Sequence, residues 1–323
     1  MQNGKTALVL GGGGSKGAYE IGVWQALNEL GIQIDMVTGT SIGAVNGALV
    51  AQNDFETAKK IWSEIEEGTI TEFTEKEELK RILEQNLQEE QIRSSRTEYG
   101  IVTVEFPVFK AHCVFIEEIP EGKLVDYILA STACFPFISP HEIDDKKFID
   151  GGYFDNIPVA MALKRGAENV IAVDLSAAGI IKKDTLKESD SLKKISCKWS
   201  LGSFFAFNPE NTKRIIRLGY LDAMKSFNVF SGEKYTFIKG EFAKSGLEEA
   251  DAAAAVFGLD PTLIYSKEIL DNHLREAANE DGTKDWKDEL KIKVKKIMTN
   301  SPASLVEEEI LAKRYIEKNK LLW

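Results

Sequence analysis

The stretch Met36-Val37-Thr38-Gly39-Thr40-Ser41-Ile42-Gly43-Ala44 decides how this chain is read. A short apolar run ends in Gly-x-Ser-x-Gly, and the segment from Ala44 to Gln52 that follows predicts a helix. In a strand–turn–helix setting of this kind, the sharp turn exposes the serine hydroxyl as a nucleophile. Gly39 and Gly43 have a physical reason there. A side chain at either would crowd the neighbouring strand and helix, and tight turns often need backbone angles that glycine takes cheaply. Five-residue matches this loose also arise by chance, so the surrounding segments decide.

Upstream, Ala7–Leu10 predicts a buried strand, and Ala18–Leu30 an amphipathic helix with Ile21, Val23, Trp24 and Leu27 on its inner face. Between them lies Gly11-Gly12-Gly13-Gly14-Ser15-Lys16-Gly17. Consecutive glycines at a helix N-terminus leave several backbone N–H groups bare, which suits a negative charge. That charge is the oxyanion of a tetrahedral intermediate in an acyl hydrolase, or a pyrophosphate in a dinucleotide-binding protein. Gly12-x-Gly14-x-x-Gly17 with Asp35 about twenty residues on also fits the second case. Against it, Asp35 precedes the apolar residues of its strand, and the carboxyl end of that strand carries the serine turn. A P-loop fits less well, because Gly17 follows Lys16 where Ser or Thr should hold magnesium.

Downstream, a helix is expected at Phe55–Glu66. The charge-dense stretch Thr69–Glu98 reads as an inserted cap or lid, or as a solvated pair of helices. Strands follow at Gly100–Phe106 and Cys113–Glu117, then a helix at Leu124–Ala130 and an apolar loop at Cys134–Pro140. A hairpin-like segment ends at Phe148-Ile149, next to Asp150-Gly151-Gly152, and a further strand is expected at Val170–Asp174. Acidic-Gly turns are common in hairpins, so Asp150-Gly151-Gly152 alone is bland. The strand–helix alternation predicts an α/β fold with a parallel sheet. Lys, Asp, Glu and Ser dominate Ile181–Lys198, which reads as a loop or linker. From Glu241 onward the chain is Ala-rich, charged and helical in propensity. The expected organisation is a catalytic core over 5–175, a linker and core-packing extension over 176–240, and a helical accessory region over 241–323.

With 323 residues, 43% of them hydrophobic, the chain has material for one large core or two smaller ones. A formal net charge of −11 argues against a nucleic-acid partner, since phosphate backbones are held by clustered Lys and Arg. It equally argues against strong attraction to anionic membranes. Cys113, Cys134 and Cys197 are few, odd in number and far apart, which fits a reducing compartment. The apolar run Thr6–Leu10 is too short for a signal-peptide core or a membrane span, so a cytoplasmic location is expected.

Taken in order, Gly12-Gly13-Gly14-Ser15-Lys16-Gly17, then Gly39–Gly43, then Asp150–Gly152 about a hundred residues later resemble the patatin-like phospholipase family. The flanks Ala130–Pro136 and Asp155–Pro158 are similar too. The likeness runs from about Lys5 to Leu175, with a fainter echo at Leu218–Ala223. It implies a three-layer α/β/α fold with a central mostly parallel sheet, followed here by a helical C-terminal region. It also implies a Ser41–Asp150 dyad without histidine and an oxyanion hole at Gly12, Gly13 and Gly14. Lys16, Gly17, Gly39, Gly43, Gly151 and Gly152 are supporting motif positions. No metal or organic cofactor is required, and the implied substrate is a lipid or phospholipid ester, reached by transient contact with a membrane surface.

The three histidines agree with a dyad. A Ser–acid–His order would need His273, which sits in the charged helical tail; His141, nine residues before Asp150, is expected near the site mouth, and His112 reads as structural. A carboxylate with a reference pKa of about 3.9 is a weak base toward a serine hydroxyl, so burial must raise it while amide hydrogen bonds hold it aimed. Phe135–Ile138 and Leu201–Phe207 line an acyl channel or are plain core. The rival readings are a nucleotide-binding α/β protein and a catalytically silent lipid-binding module.

Overall fold

The computed structural model describes residues 4–66, 76–182, 191–279, 303–319 and 321. It divides into two compact units, Met1–Ala223 and Met224–Trp323.

The first unit is built on one sheet. Strands β1 (Thr6–Leu10) and β2 (Met36–Thr40) are wholly buried and pair in parallel. The other edge of β1 pairs in parallel with β7 (Asn169–Asp174). Beyond β2 lies β3 (Glu98–Phe106), also parallel, which carries its hairpin partner β4 (Lys110–Phe115) on the far edge. A second hairpin, β5 (His141–Ile143) and β6 (Lys146–Asp150), joins β3 through β6 in antiparallel register.

Successive strand residues point to opposite faces, so each face needs its own cover. On one face Gly47 of helix α2 (Ile42–Gln52) lies against Tyr99 and Val37. On the other, Val159, Met161 and Ala162 of α7 (Val159–Lys164) pack with Ala7, Val9, Met36, Val170 and Ala172. The outcome is the expected three-layer α/β/α arrangement around a mixed, mostly parallel sheet. Helix α1 (Ala18–Glu29) buries Ile21, Val23, Trp24 and Leu27, as its periodicity predicts. Trp24 meets Phe55 of α3 (Phe55–Glu66) edge-to-face at 5.1 Å.

Two expectations need correction. Within Ile181–Lys198, expected as a loop or linker, Leu192–Ser196 forms β8, a parallel edge strand on β7; residues 183–190 lie outside the described residues. Only Ile195 of β8 is fully buried. An edge strand tolerates Lys193 and Lys194, and that charge made it look like a linker. Of the charged stretch Thr69–Glu98, residues 69–75 lie outside the described residues, while the remainder includes α4 (Lys76–Asn86) and α5 (Glu89–Arg93). Helix α4 is not simply solvated, because Leu79, Ile82 and Leu83 are buried.

Helix α8 (Pro209–Ser226) contains the division between the two units. The second unit holds α9 (Lys244–Val256), α10 (Lys267–Asn279) and the helix Ala303–Lys318, in line with its helical composition. It also has a small sheet, β9 (Phe230–Ser231), β10 (Thr236–Ile238) and β11 (Ile264–Tyr265), whose strands are too short to announce themselves by alternation. Among the described residues, no helix is long and apolar enough to cross a membrane.

Candidate active site

The sheet itself brings Ser41 and Asp150 together. β2 and β6 both lie on the edge of β3 opposite β4, and they meet head-on: β2 ends with Thr40 beside Val102, and β6 ends with Asp150 beside Thr103. The residue after Thr40 is Ser41, and its hydroxyl stands close enough to the Asp150 carboxyl group to draw that group's pKa down.

Ser41 carries the conformational cost of the turn. Its φ of 56° and ψ of −126° lie where a residue with a β-carbon sits under strain, whereas Gly39 and Gly43 have no positive φ. The glycines are needed for space. A β-carbon on Gly39 would stand 2.1 Å from the Gly43 carbonyl, and one on Gly43 would stand 2.3 Å from the Leu10 carbonyl. Helix α2 therefore starts at Ile42, two residues earlier than its apolar run suggests. The turn is also pinned by Ser131, which accepts from the Ser41 N–H at 2.9 Å and donates to the Val102 carbonyl at 2.7 Å. Ser131 ends α6 (Leu124–Ser131). It was visible in the sequence only as part of the stretch preceding the Asp-Gly-Gly turn.

Asp150 is 5% exposed. Burial pushes its carboxyl up to about 6, against the opposing pull of hydrogen bonds from Ser41 and from the Gly152 N–H, the latter 2.7 Å from Oδ1. Gly151 has no room for a side chain, since a β-carbon would meet the Val102 carbonyl at 2.2 Å. The carboxyl group is thus fixed in direction and raised toward the range where a base works near neutral pH.

The glycine turn after β1 is organised around Asn156, a residue whose role no motif revealed. Its main-chain carbonyl accepts from Gly12 N–H at 3.0 Å, and its Nδ2 donates to the Gly12 carbonyl at 3.1 Å. Gly12 N–H is therefore occupied, while the amides of Gly13 and Gly14 have no protein partner among the described residues. Gly14 has φ +58° and abuts the Phe204 carbonyl, which accepts from Ser15 N–H at 3.0 Å. Gly17 leaves space for Ile42 and Asn46. Beneath the turn, Glu20 is 1% exposed and takes hydrogen bonds from Gly11 N–H and from Asn46 Nδ2, the latter at 2.7 Å. Burial holds its carboxyl well above the usual range, and Trp62 Nε1 closes the chain on Asn46 Oδ1 at 3.0 Å.

Ser41 and Asp150 open into a mainly apolar cleft of about 490 Å³, whose walls include Gly13, Lys16, Phe137, Tyr153, Ile180 and Phe205. Phe137 and Phe205 thus belong to the wall and are not plain core, the alternative that their segments left open. Lys16 Nζ donates to the Ser176 carbonyl at 3.3 Å. A smaller apolar pocket on the other side of Ser41 is lined by Leu79, Ile138, Phe204 and Phe207. No histidine lines either space. His141 binds Asp126 at 3.0 Å, His112 binds Glu105 at 3.0 Å, and His273 Nδ1 bonds the Ile269 carbonyl at 2.9 Å in the second unit. Asp35 sits at the opposite end of its strand from the glycine turn, accepting from the Thr6 N–H at 2.9 Å. Among the described residues no group of three or more His, Cys, Asp or Glu side chains is arranged to hold a metal.

A serine on a strand–turn–helix elbow, set beside a buried carboxyl and a glycine turn, defines a serine-elbow α/β protein. Residues 8–163 match the Patatin-like phospholipase family, and the chain carries a domain of that family. It is 30% identical over 238 residues to Lysophospholipase NTE1 of Candida glabrata, covering 68% of this chain and 13% of that protein. It is also 30% identical over 248 residues to human Patatin-like phospholipase domain-containing protein 6, covering 71% of this chain and 18% of that protein. The chain therefore spans less than a fifth of the length of these relatives. VipD from Legionella pneumophila aligns over 100% of this chain and 81% of its own at TM-score 0.48 and 14% identity, too remote to carry an inference.

Proposed function

We propose that the chain hydrolyses fatty-acyl esters of lipids through an acyl-enzyme on Ser41. The observation that carries this is the placement of Ser41 beside the buried Asp150 at the base of an apolar cleft. Asp150 accepts the hydroxyl proton as Ser41 attacks the ester carbonyl, then returns it to the leaving alcohol. Water, activated by the same carboxylate, releases the fatty acid. The amides of Gly13 and Gly14 hold the oxyanion. Gly12, expected among these donors, instead braces the turn, because its N–H is bound to Asn156. A carboxyl raised to about 6 is charged at neutral pH and a far better base than one at its ordinary value.

The cleft's volume lies within the usual range for small-molecule sites, and its apolar wall suits an acyl chain. Lys16 on that wall is the contact for a phosphate-bearing leaving group. The names of the relatives, lysophospholipase and patatin-like phospholipase, support the same ester class. The nucleotide-binding reading loses its acidic ribose ligand, since Asp35 is engaged with Thr6 at the far end of β2.

The test is labelling by a fluorophosphonate probe together with hydrolysis of chromogenic esters of increasing chain length and of labelled phospholipids and lysophospholipids. Labelling and turnover that vanish in Ser41→Ala are expected. Equal labelling of that variant, or a folded wild type that turns over no ester, overturns the reading and leaves the silent lipid-binding module.

A further inference from the structure

Large apolar side chains stand in solvent around the mouth of the cleft. At the β3–β4 turn, Val108 is 65% exposed and Phe109 60% exposed; on the loop before β5, Phe137 is 73% exposed, and Ile180 is 54% exposed. They form one continuous patch. Phe109 stacks edge-on to Phe106 at 5.7 Å, and Phe106 lies 5.2 Å from Phe135. The Phe135 carbonyl accepts from the Tyr153 hydroxyl, Tyr153 and Phe137 line the cleft, and Phe137 lies 4.8 Å from Phe205. Ring contacts thus run from the hairpin tip to Phe135, and the hydrogen bond of Tyr153 to the Phe135 carbonyl joins them to the cleft. Soluble surfaces rarely leave contiguous apolar area of this kind without a use.

Phe109 adds a second observation. Its φ is 55°, a conformation that a bulky side chain adopts at a cost, and Asn or Gly would sit there with less strain. A phenylalanine 60% exposed in that conformation sets its strain against the edge-on contact with Phe106.

Two lysines beside the patch are matched, while Lys110, exposed next to Phe109, makes no salt bridge among the described residues. Lys146 pairs with Glu105 at 3.1 Å and Lys147 with Glu142 at 3.3 Å, in a chain whose net charge is −11. One unmatched lysine in a chain of net charge −11 supplies little attraction to anionic lipid, so the occupant is held by apolar insertion. We infer that Val108, Phe109 and the rings leading to the cleft dip into the surface of a zwitterionic phospholipid bilayer, seating the cleft mouth on the membrane that supplies the ester. This rests on the proposed lipid-ester activity for its purpose, though not for its measurement.

The experiment uses the full chain carrying Ser41→Ala, so that binding is read without turnover, and phosphatidylcholine vesicles in a flotation assay. Vesicle partition is expected to fall on the order of tenfold or more when Val108→Ser and Phe109→Asn are added, and to change little between low and high salt. In the otherwise wild-type chain, the same pair should leave hydrolysis of a soluble short-chain ester unchanged and slow hydrolysis of vesicle-borne ester to a similar extent. Neither residue lines the cleft, and the Asn at 109 relieves the strained φ, so the pair should fold. Undiminished partition overturns the inference. So does a vesicle-independent self-association that the pair abolishes, which would make the patch a contact between two copies. If no ester is hydrolysed but partition falls as stated, the docking surface stands and the hydrolase reading does not.

Discussion

Thr40 and Asp150 stand opposite consecutive residues of β3, Thr40 paired with Val102 in parallel register and Asp150 with Thr103 in antiparallel register. The two strands share one edge and arrive from opposite directions, so a serine and a carboxyl separated by over a hundred residues become neighbours through backbone pairing alone. Because side chains alternate with a period of two, a one-residue slip of β6 would turn the carboxyl to the other face of the sheet.

If the pair acts as one unit, its losses should not add. Ser41→Ala and Asp150→Asn are each expected to lower kcat by roughly 10³-fold or more, and the double variant should be no worse than the weaker single one. Steady-state hydrolysis of a soluble ester measures this. A double variant slower by the product of the two losses would mean that the residues contribute independently.

The raised Asp150 carboxyl makes both activity and stability depend on pH. Hydrolysis should rise as pH climbs through about 6 and level off above it, since the base works only when ionised. Stability moves the other way. A carboxyl whose folded pKa exceeds its unfolded one contributes stability that is fully present below about 3.9 and is lost as pH rises through about 6. Asp150→Asn should therefore be inactive yet more stable at pH 7, by up to about 3 kcal/mol, with the difference fading near pH 4. Thermal melts at the two pH values decide this. Asp155, also raised to about 6 by burial against the pull of Lys182, should add to the same trend in the wild-type melts.

Ser131 touches no substrate, so its effect should show as a positioning defect. Ser131→Ala leaves the Ser41 N–H and the Val102 carbonyl without their buried partner, at a cost of about 1–3 kcal/mol. The expected kinetic signature is a lower kcat with KM nearly unchanged. A rise in KM alone would place Ser131 in substrate binding.

At Gly14, replacement by Ala combines an unfavourable φ of +58° with a β-carbon 2.3 Å from the Phe204 carbonyl. The loop must shift, and with it the two free amides. A loss of about 10²–10³ in kcat is expected, with the melting temperature falling only modestly. Fluorophosphonate labelling should slow in parallel, since the phosphonyl oxygen relies on the same donors. Unchanged labelling would remove Gly14 from the oxyanion role.

Much of this site was legible because its constraints are local. The elbow and the glycine turn each lie within a few residues of chain, and strand periodicity located β1 and β2. What stayed hidden depends on distant pairing. Asn156 and Ser131 look like ordinary polar residues until the fold sets them against Gly12 and Ser41. β8 was concealed by lysines that an edge strand accepts, and β9 to β11 are too short to show alternation. The Gly12 donor was misjudged because a glycine run does not show which of its amides a remote carbonyl will claim.

Asn156 also couples the residue types of three separate loops. β-Carbons added at Gly12, Gly152 or Gly179 would come within 2.4, 2.9 and 2.7 Å of its side chain. Drift at any one of them is blocked while the asparagine remains; its loss would ease Gly12 and Gly152, whereas Gly179, at φ +155°, would still favour glycine. Aspartate is no substitute, because it would turn a donor facing the Gly12 carbonyl into an acceptor. In a lineage of such chains Asn156, Gly12 and Gly152 should change together or stay together, so that the smallest heritable unit at this corner of the site is a trio.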